Sequence, residues 1–103
     1  MTSWGAGLDM YYDKQGNVIS EGEYRVLKYK TPGYKRVAAT TLPDGTWIST
    51  VWLGMNHAYT ASQSPIIFET MVFSSGMSDG YMMRYSTLED ALNGHARMVQ
   101  KFS

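Results

Sequence analysis

The segment IIFETMVF, residues 66–73, limits the possible folds more than any other part of this sequence. It has the β-branched and aromatic composition of a strand. Strand alternation separates its side chains into two faces, one of which carries Ile67, Glu69, Met71 and Phe73. Both faces are apolar apart from the one carboxylate. We therefore expect a helix over one face and the N-terminal segment or a second subunit over the other, so a homodimer is one expected arrangement.

Three further segments have the composition of strands: residues 35–41, 46–53 and 81–85. Residues 42–45, LPDG, predict a tight turn between the first two, because proline fixes φ and glycine accepts a positive φ. The polar stretch SSGMSDG at residues 74–80 is expected to be a loop before the last strand. Antiparallel strands that follow one another in sequence order are the simplest arrangement of these four segments.

A Ser-x-x-Glu pattern predicts the start of a helix before the first of these strands. In this capping box the serine oxygen accepts from the glutamate amide, and the carboxylate accepts from the serine amide. Ser20 with Glu23 fits the pattern and predicts a short helix over about residues 21–30. That helix must end before Pro32, because proline lacks the amide proton and disfavours helical geometry in the preceding residue.

The C-terminal segment has the clearest helical pattern of the chain. Ser86 with Glu89 repeats the capping box, and Lys101 near the end complements the negative end of the helix dipole. Apolar side chains recur at helical spacing, so we expect this helix to pack across the sheet. The predicted buried face carries Leu88, Ala91, Leu92, His95, Val99 and Phe102.

Together these elements predict an α+β fold. We expect an antiparallel sheet of about four strands, a short N-terminal helix and a C-terminal helix packed on one face of the sheet. The domain should span residues 11–103. Residues 1–10 contain two glycines and no clear periodicity, so they are expected to form a flexible N-terminal arm.

Composition excludes several classes of site. None of the 103 residues is cysteine, which excludes disulfides, thiolate zinc sites and cysteine nucleophiles. Nine Lys and Arg balance nine Asp and Glu, which argues against a wholly basic nucleic-acid coat. No segment approaches the roughly 18 to 20 apolar residues of a membrane span, and the N-terminus lacks a signal peptide pattern. We expect a cytoplasmic protein with no membrane partner.

Basic and aromatic residues are concentrated in one stretch, from residue 24 to residue 36, that contains no acid. Lys and Arg bind phosphates, and tyrosine rings stack on bases, so the stretch is a candidate nucleic-acid or acidic-protein surface. The alternative is a solvated helix face whose lysine stems cover apolar surface. We name these residues the basic-aromatic patch: Tyr24, Arg25, Lys28, Tyr29, Lys30, Tyr34, Lys35 and Arg36.

A second candidate is a polar cluster of His57, Glu69, Arg84 and His95. His95 lies on the apolar helix face, so we expect it to be buried and neutral unless Glu69 is adjacent. Glu69 needs a partner if it is buried, and Arg84, Tyr85 and His57 are the candidates. A metal or acid–base site would require both histidines and Glu69 to meet, and no HxH or HExxH spacing indicates one. We expect no metal and no cofactor.

Three segments resemble a family of small uncharacterised proteins of actinobacteria and their phages. They are STVWLGMNH at residues 49–57, IIFETMVF at residues 66–73 and RYSTLEDALNGHARMV at residues 84–99. The similarity extends over roughly residues 11–100, with a departure in the loop AYTASQSP. The resemblance implies a phage or prophage context, which residue composition and spacing do not show.

Three functions are therefore weighed. The first is a small phage-encoded, non-enzymatic binding protein that acts on a host protein or protein–nucleic-acid complex, for example as an inhibitor of a host defence system such as CRISPR. The second is an accessory protein that contacts nucleic acid directly through the basic-aromatic patch. The third is a small His/Glu metal-binding or hydrolytic protein. No Gly-rich phosphate loop, GxSxG motif or acidic metal loop is present in the sequence.

Overall fold

Two helices and four strands make up a computed structural model that describes residues 10–58, 64–74 and 77–103. In chain order they are α1 (Glu21–Tyr29), β1 (Arg36–Thr41), β2 (Trp47–Trp52), β3 (Phe68–Ser74), β4 (Met77–Tyr85) and α2 (Leu88–Phe102). The strands form one sheet in the order β1-β2-β3-β4, and every neighbouring pair is antiparallel. The predicted α+β fold is confirmed. The flexible arm expected over residues 1–10 lies outside the described residues, apart from residue 10.

The helix α1 begins as the sequence predicts. The backbone amide of Glu23 donates to the Ser20 hydroxyl at 3.1 Å, and the amide of Ser20 donates to the Glu23 carboxylate at 3.0 Å. This complete capping box satisfies two amide groups that a helix start leaves unpaired. The helix ends at Tyr29, three residues before Pro32.

The start of α2 corrects a prediction. The N-cap is Thr87, whose hydroxyl accepts from the amide of Asp90 at 3.0 Å, so the predicted capping box of Ser86 and Glu89 is wrong. The buried face is also rotated from the predicted one, since Leu92 is 46% exposed. The helix instead turns its smallest residue toward the sheet, and the side chains around that point are buried: Ala91, Gly94, His95 and Met98.

The strand β4 is longer than predicted. It begins at Met77 rather than residue 81, because backbone pairing with β3 continues to Ser74 and Met77. The pairing register shifts between Met71 and Phe73, and Gly80 lies in the matching part of β4 with a φ of +75°. A glycine at positive φ is typical of a β-bulge, and here the sequence SDG forms part of a bulged strand rather than a loop.

The core lies on one face of the sheet. One buried cluster joins α1, the sheet and α2 through Tyr24, Trp52, Ile67, Phe68, Tyr85 and Ala91. A second cluster, at the other end of α2, contains Leu42, Ile48, Val72 and Met98. Half-buried tyrosines of the N-terminal segment, Tyr11 and Tyr12, pack against the first cluster. The described part of the N-terminal segment therefore lies on the same face as α2, and not on the opposite face as one of the two expected arrangements required.

None of the helices in the described part of the chain is both long enough and apolar enough to cross a membrane.

Candidate functional site

The face of the sheet turned away from α2 is open, and we call it the open face. Strand alternation places Trp47 and Val51 of β2 and Met71 and Phe73 of β3 on this face, opposite the buried residues of the same strands. On β4 the cross-strand partner of Met71 is Met82, which is 45% exposed. Trp47 is 38% exposed. The molecule thus presents an apolar, aromatic surface that α2 leaves uncovered.

One ion pair crosses the open face. The guanidinium Nε of Arg84 donates to the Glu69 carboxylate at 3.1 Å, and the two residues are direct cross-strand neighbours on β4 and β3. Of the three partners that the sequence suggested for Glu69, the structure pairs it with Arg84. Strand alternation places the next residue, Tyr85, on the opposite face, where it is buried in the core.

His95 lies on the covered face and is enclosed by threonines. Its Nε2 lies 2.8 Å from the hydroxyl of Thr40, and its Nδ1 lies 2.7 Å from the hydroxyl of Thr50. In the neutral ring one nitrogen donates and the other accepts, so both hydrogen-bonding atoms are satisfied. Burial lowers the pKa of His95 below its ordinary value of 6.5. The residue has the environment of a structural core histidine.

The four residues of the expected polar cluster do not come together. Glu69 and Arg84 pair on the open face, whereas His95 lies on the covered face of the sheet. His57 is exposed after β2, where its amide donates to the carbonyl of Ile66. Within the described ranges, no three His, Cys, Asp or Glu side chains are grouped so that they could hold a metal ion.

The basic-aromatic patch separates into structural and surface residues. Tyr24 is buried and its ring lies 4.5 Å from that of Tyr11, while Tyr34 meets the ring of Trp52 edge to face at 4.8 Å. Both tyrosines therefore hold the core. Arg25 is bound to Glu21 one helical turn earlier, at 2.9 Å, and this hydrogen bond raises its pKa.

Four other residues of the patch surround a groove of about 450 Å³, which we call the basic groove. Lys28 and Tyr29 contribute from the end of α1, and Lys35 and Arg36 contribute from the start of β1. Residues 31–33 connect these two walls, and the floor is the open face of β2. Lys30 is exposed but does not line this groove. The full lining is Lys28, Tyr29, Thr31, Pro32, Gly33, Lys35, Arg36, Trp47, Ser49 and Val51.

The basic groove is electropositive. Among the described residues that line it, three carry a cation and none carries a carboxylate. The ammonium of Lys28 donates to the Tyr24 hydroxyl at 2.9 Å and lies 5.4 Å from the centre of the Tyr29 ring. That hydrogen bond is the main cause that raises the pKa of Lys28, so the side chain stays charged and is held in place.

A second groove, of about 790 Å³, lies on the other side of α1 and has the opposite charge. Its lining, as far as the structure describes the chain, includes the carboxylates of Asp13 and Glu23 and no Lys or Arg. The helix therefore separates an acidic surface from a basic one, although the whole chain has no net charge. An anionic ligand is favoured only on the side of Lys28.

Sequence reasoning missed the floor of the basic groove. Trp47, Ser49 and Val51 belong to TWISTVWL, and its alternation does place them on one face, opposite Ile48, Thr50 and Trp52. The sequence contains two tryptophans in this strand, one on each face, and gives no signal of which is buried. Only the tertiary packing shows that Trp52 belongs to the core, where it contacts Tyr24 and Tyr34, and that Trp47 belongs to the groove.

Comparison with protein-family models, with curated proteins and with solved structures finds no match for this chain. The family resemblance seen in the sequence therefore stays a prediction, and function has to be inferred from the geometry of the basic groove.

Proposed function

We propose that this protein is a non-enzymatic binding protein whose basic groove binds nucleic acid. One observation carries the proposal. Three cations, Lys28, Lys35 and Arg36, line one groove, and the described residues that line it include the aromatic rings of Tyr29 and Trp47 and no carboxylate. Lys and Arg bind phosphates without regard to sequence, and aromatic rings bind bases.

The aromatic rings favour nucleic acid over an acidic peptide. An acidic protein surface would satisfy the cations alone, and it would leave the indole of Trp47 without a matching flat partner. A nucleotide offers both groups close together, since each phosphate is linked through a sugar to a base with two π faces. The groove combines the two kinds of side chain at the junction of β1 and β2.

The non-enzymatic part of the proposal rests on the state of the acid–base residues. His95 is enclosed between Thr40 and Thr50 with both ring nitrogens engaged, and Glu69 is bound to Arg84. Neither group lines the basic groove. Among the described residues that line the groove there is no His, Asp or Glu to act as a general base for its hydroxyl groups, so a ligand there would mainly meet cations and aromatic rings, which bind.

The broader prediction from the sequence remains compatible with this proposal. A phage-encoded protein that acts on a host protein–nucleic-acid complex, including a defence complex such as CRISPR, could use the basic groove on the nucleic-acid part of its target. We retain that role as a proposal about biological context, which the groove does not favour over other nucleic-acid partners. Recovery of a host complex with tagged protein, and its loss with a charge-reversed groove, would test it.

The direct test is charge reversal inside and outside the groove. Lys35→Glu with Arg36→Glu changes two exposed groove cations, whereas Arg25→Glu with Lys30→Glu makes the same change of net charge outside the groove. We expect the first variant to bind labelled oligonucleotide much more weakly than the parent in a fluorescence anisotropy titration at low salt, and the second to keep most of its affinity. Both melting temperatures should stay close to that of the parent, since surface changes alter stability by less than about 0.5 kcal/mol.

Salt dependence gives a second readout of the same experiment. Each lost phosphate contact should reduce the slope of log affinity against log salt by about 0.7 for a single strand, so the Lys35/Arg36 variant should lose about 1.4. Absence of binding by the parent protein at low salt would remove the proposal. Equal loss in both charge-reversed variants would also remove it, because attraction would then depend on net charge and not on the groove.

A further inference from the structure

We infer that the nucleic acid bound in the basic groove is single-stranded, and that its unpaired bases stack on Trp47 at the floor of the groove. This inference rests on the proposed function and names the form of nucleic acid that the groove takes. The evidence for it comes from the aromatic residues on the open face of β2 and β3, and not from the charged residues in the walls of the groove.

The indole of Trp47 is both exposed and held by a neighbouring ring, which suits it for stacking against a base. It is 38% exposed on the open face, and its ring centre lies 5.1 Å from that of Phe73 on the neighbouring strand at an angle of 31°. Cross-strand aromatic pairs of this kind restrict both rings. A base that stacks on the free side of the indole therefore meets a surface already held in position from the other side.

The arrangement of charge matches a strand whose bases turn toward the sheet. Arg36 lies on β1 opposite Val51, and Trp47 lies four residues away along β2, opposite Thr41. At about 3.3 Å per residue, Arg36 and Trp47 are about 13 Å apart along the strands. A bound strand of two or more nucleotides that runs along the groove would therefore hold a phosphate at the β1 wall and place a neighbouring base over Trp47. In a duplex the faces of the bases are covered by their neighbours in the stack. Only an unpaired base can present its flat face to Trp47.

A second copy of this chain fits the open face less well. Pairing two copies through this face would bring the cations of two basic grooves toward the same interface. Glu69, the carboxylate that the described residues place on this face, is already bound to Arg84 of its own chain. No free acid is therefore available among these residues to offset the added charge, and like charges at an interface are costly.

The test compares removal of the Trp47 ring with removal of a similarly exposed aromatic ring elsewhere in the protein. Trp47→Leu removes the π face, and Trp47→Tyr keeps one. Tyr81→Leu removes a ring of almost equal exposure, 37%, which contacts Phe102 of α2 on the other face of the sheet. The probes are a labelled twelve-nucleotide oligo-dT and a duplex of the same length, titrated by fluorescence anisotropy, with melting temperatures recorded for each variant.

We expect Trp47→Leu to weaken oligo-dT binding by about 5- to 150-fold, the range that base–aromatic stacking gives per base. Binding of the duplex should be weaker than that of the single strand in the parent and should change less than about twofold in this variant, because phosphate contacts remain. Trp47→Tyr and Tyr81→Leu should bind oligo-dT almost as the parent does. The parent's tryptophan fluorescence should be quenched by oligo-dT, and Trp47→Leu should lose that quenching.

Two outcomes would overturn this inference and leave the proposed function standing. One is tighter binding of the duplex than of oligo-dT, with Trp47→Leu weakening both equally. The other is unchanged oligo-dT binding by a folded Trp47→Leu protein that sediments as a monomer where the parent is a dimer, which would make the open face an interface between copies. Loss of binding in the Lys35/Arg36 variant would support the groove in either case, and a parent that binds neither probe would refute both proposals.

Discussion

Replacing Gly94 by alanine should destabilise the protein, although the same change stabilises most helices. Alanine is more favourable than glycine inside a helix by about 1 kcal/mol. In α2, however, Gly94 faces Tyr85, the last residue of β4, and an added Cβ would overlap two ring carbons and the hydroxyl oxygen of the tyrosine. That ring is buried in the core cluster and has little room to move.

The two effects can be compared in size. Overpacking a core costs about 1 to 3 kcal/mol, and overlap with two ring carbons and the hydroxyl oxygen belongs at the upper end of that range. After the intrinsic gain of about 1 kcal/mol, Gly94→Ala should lower the free energy of unfolding by about 2 kcal/mol. Gly22 in α1 provides the matched control, because a Cβ there would meet only the Ser20 hydroxyl at 3.9 Å. Gly22→Ala should therefore raise stability, by up to about 1 kcal/mol.

Urea denaturation followed by tryptophan fluorescence measures both variants. A double-mutant cycle with Tyr85→Leu isolates the overlap, since Gly94→Ala should become neutral or stabilising once the ring is absent. If Gly94→Ala raised the denaturation midpoint as Gly22→Ala does, α2 would not approach β4 this closely. The packing of the C-terminal helix described above would then be incorrect.

The remaining predictions concern the helix face and the buried histidine. Met98→Ala should lower the free energy of unfolding by about 2 to 5 kcal/mol, because Met98 is buried. Leu92→Ala, at an exposed position, should change that free energy by less than about 1 kcal/mol. Equal effects of the two changes in urea denaturation would contradict the assignment of the buried face. The pKa of His95 is lowered by burial, so its contribution to stability should be complete above pH 6.5 and decline as pH falls from there through the depressed folded value. An NMR titration of the imidazole with a midpoint above 6.5 would contradict this prediction. Thr50→Val removes the hydrogen-bond partner of His95 Nδ1 and should lower the free energy of unfolding by about 1 to 3 kcal/mol.

Local patterns predicted the elements of this fold because each pattern depends on near neighbours. The Ser20 capping box, the turn at residues 42–45 and the strand composition of TWISTVWL all act within a few positions. The error at Gly80 came from the same source, since a glycine between polar residues is typical of both a loop and a bulge. Pairing with β3, which involves residues far away in sequence, decides between them.

The buried face of α2 shows a similar limit. Helical spacing alone predicted Leu92 on the buried face, because leucine is strongly apolar and its position falls on the predicted apolar side of the helix. The helix is instead docked through Gly94, and the absent side chain allows the close approach to Tyr85 that sets its rotation. A sequence pattern that counts apolar residues cannot detect a contact made by the lack of one.

The candidate site was predictable only as a charged stretch, and the structure explains why the rest was not. Of eight residues in the basic-aromatic patch, four line the groove, and the floor comes from β2, a separate segment. Sequence neighbours such as Tyr24 and Tyr29 have opposite environments, one buried and one exposed, because α1 turns them to different sides. The residues that complete the site were therefore set by tertiary packing, which the charge pattern does not contain.

The buried half of the patch nevertheless bears on the groove. Tyr24 packs on Trp52 with ring centres 5.7 Å apart, and its hydroxyl accepts from the ammonium of Lys28. Gly54, with a φ of +76°, lies so close to both rings that a Cβ would come within 2.5 Å of Trp52 and 2.7 Å of Tyr24. The core thus fixes a tyrosine whose polar end holds a groove cation. Because that cation is positioned before any ligand arrives, less side-chain entropy is lost on binding, and the groove is preorganised by the same contacts that stabilise the fold.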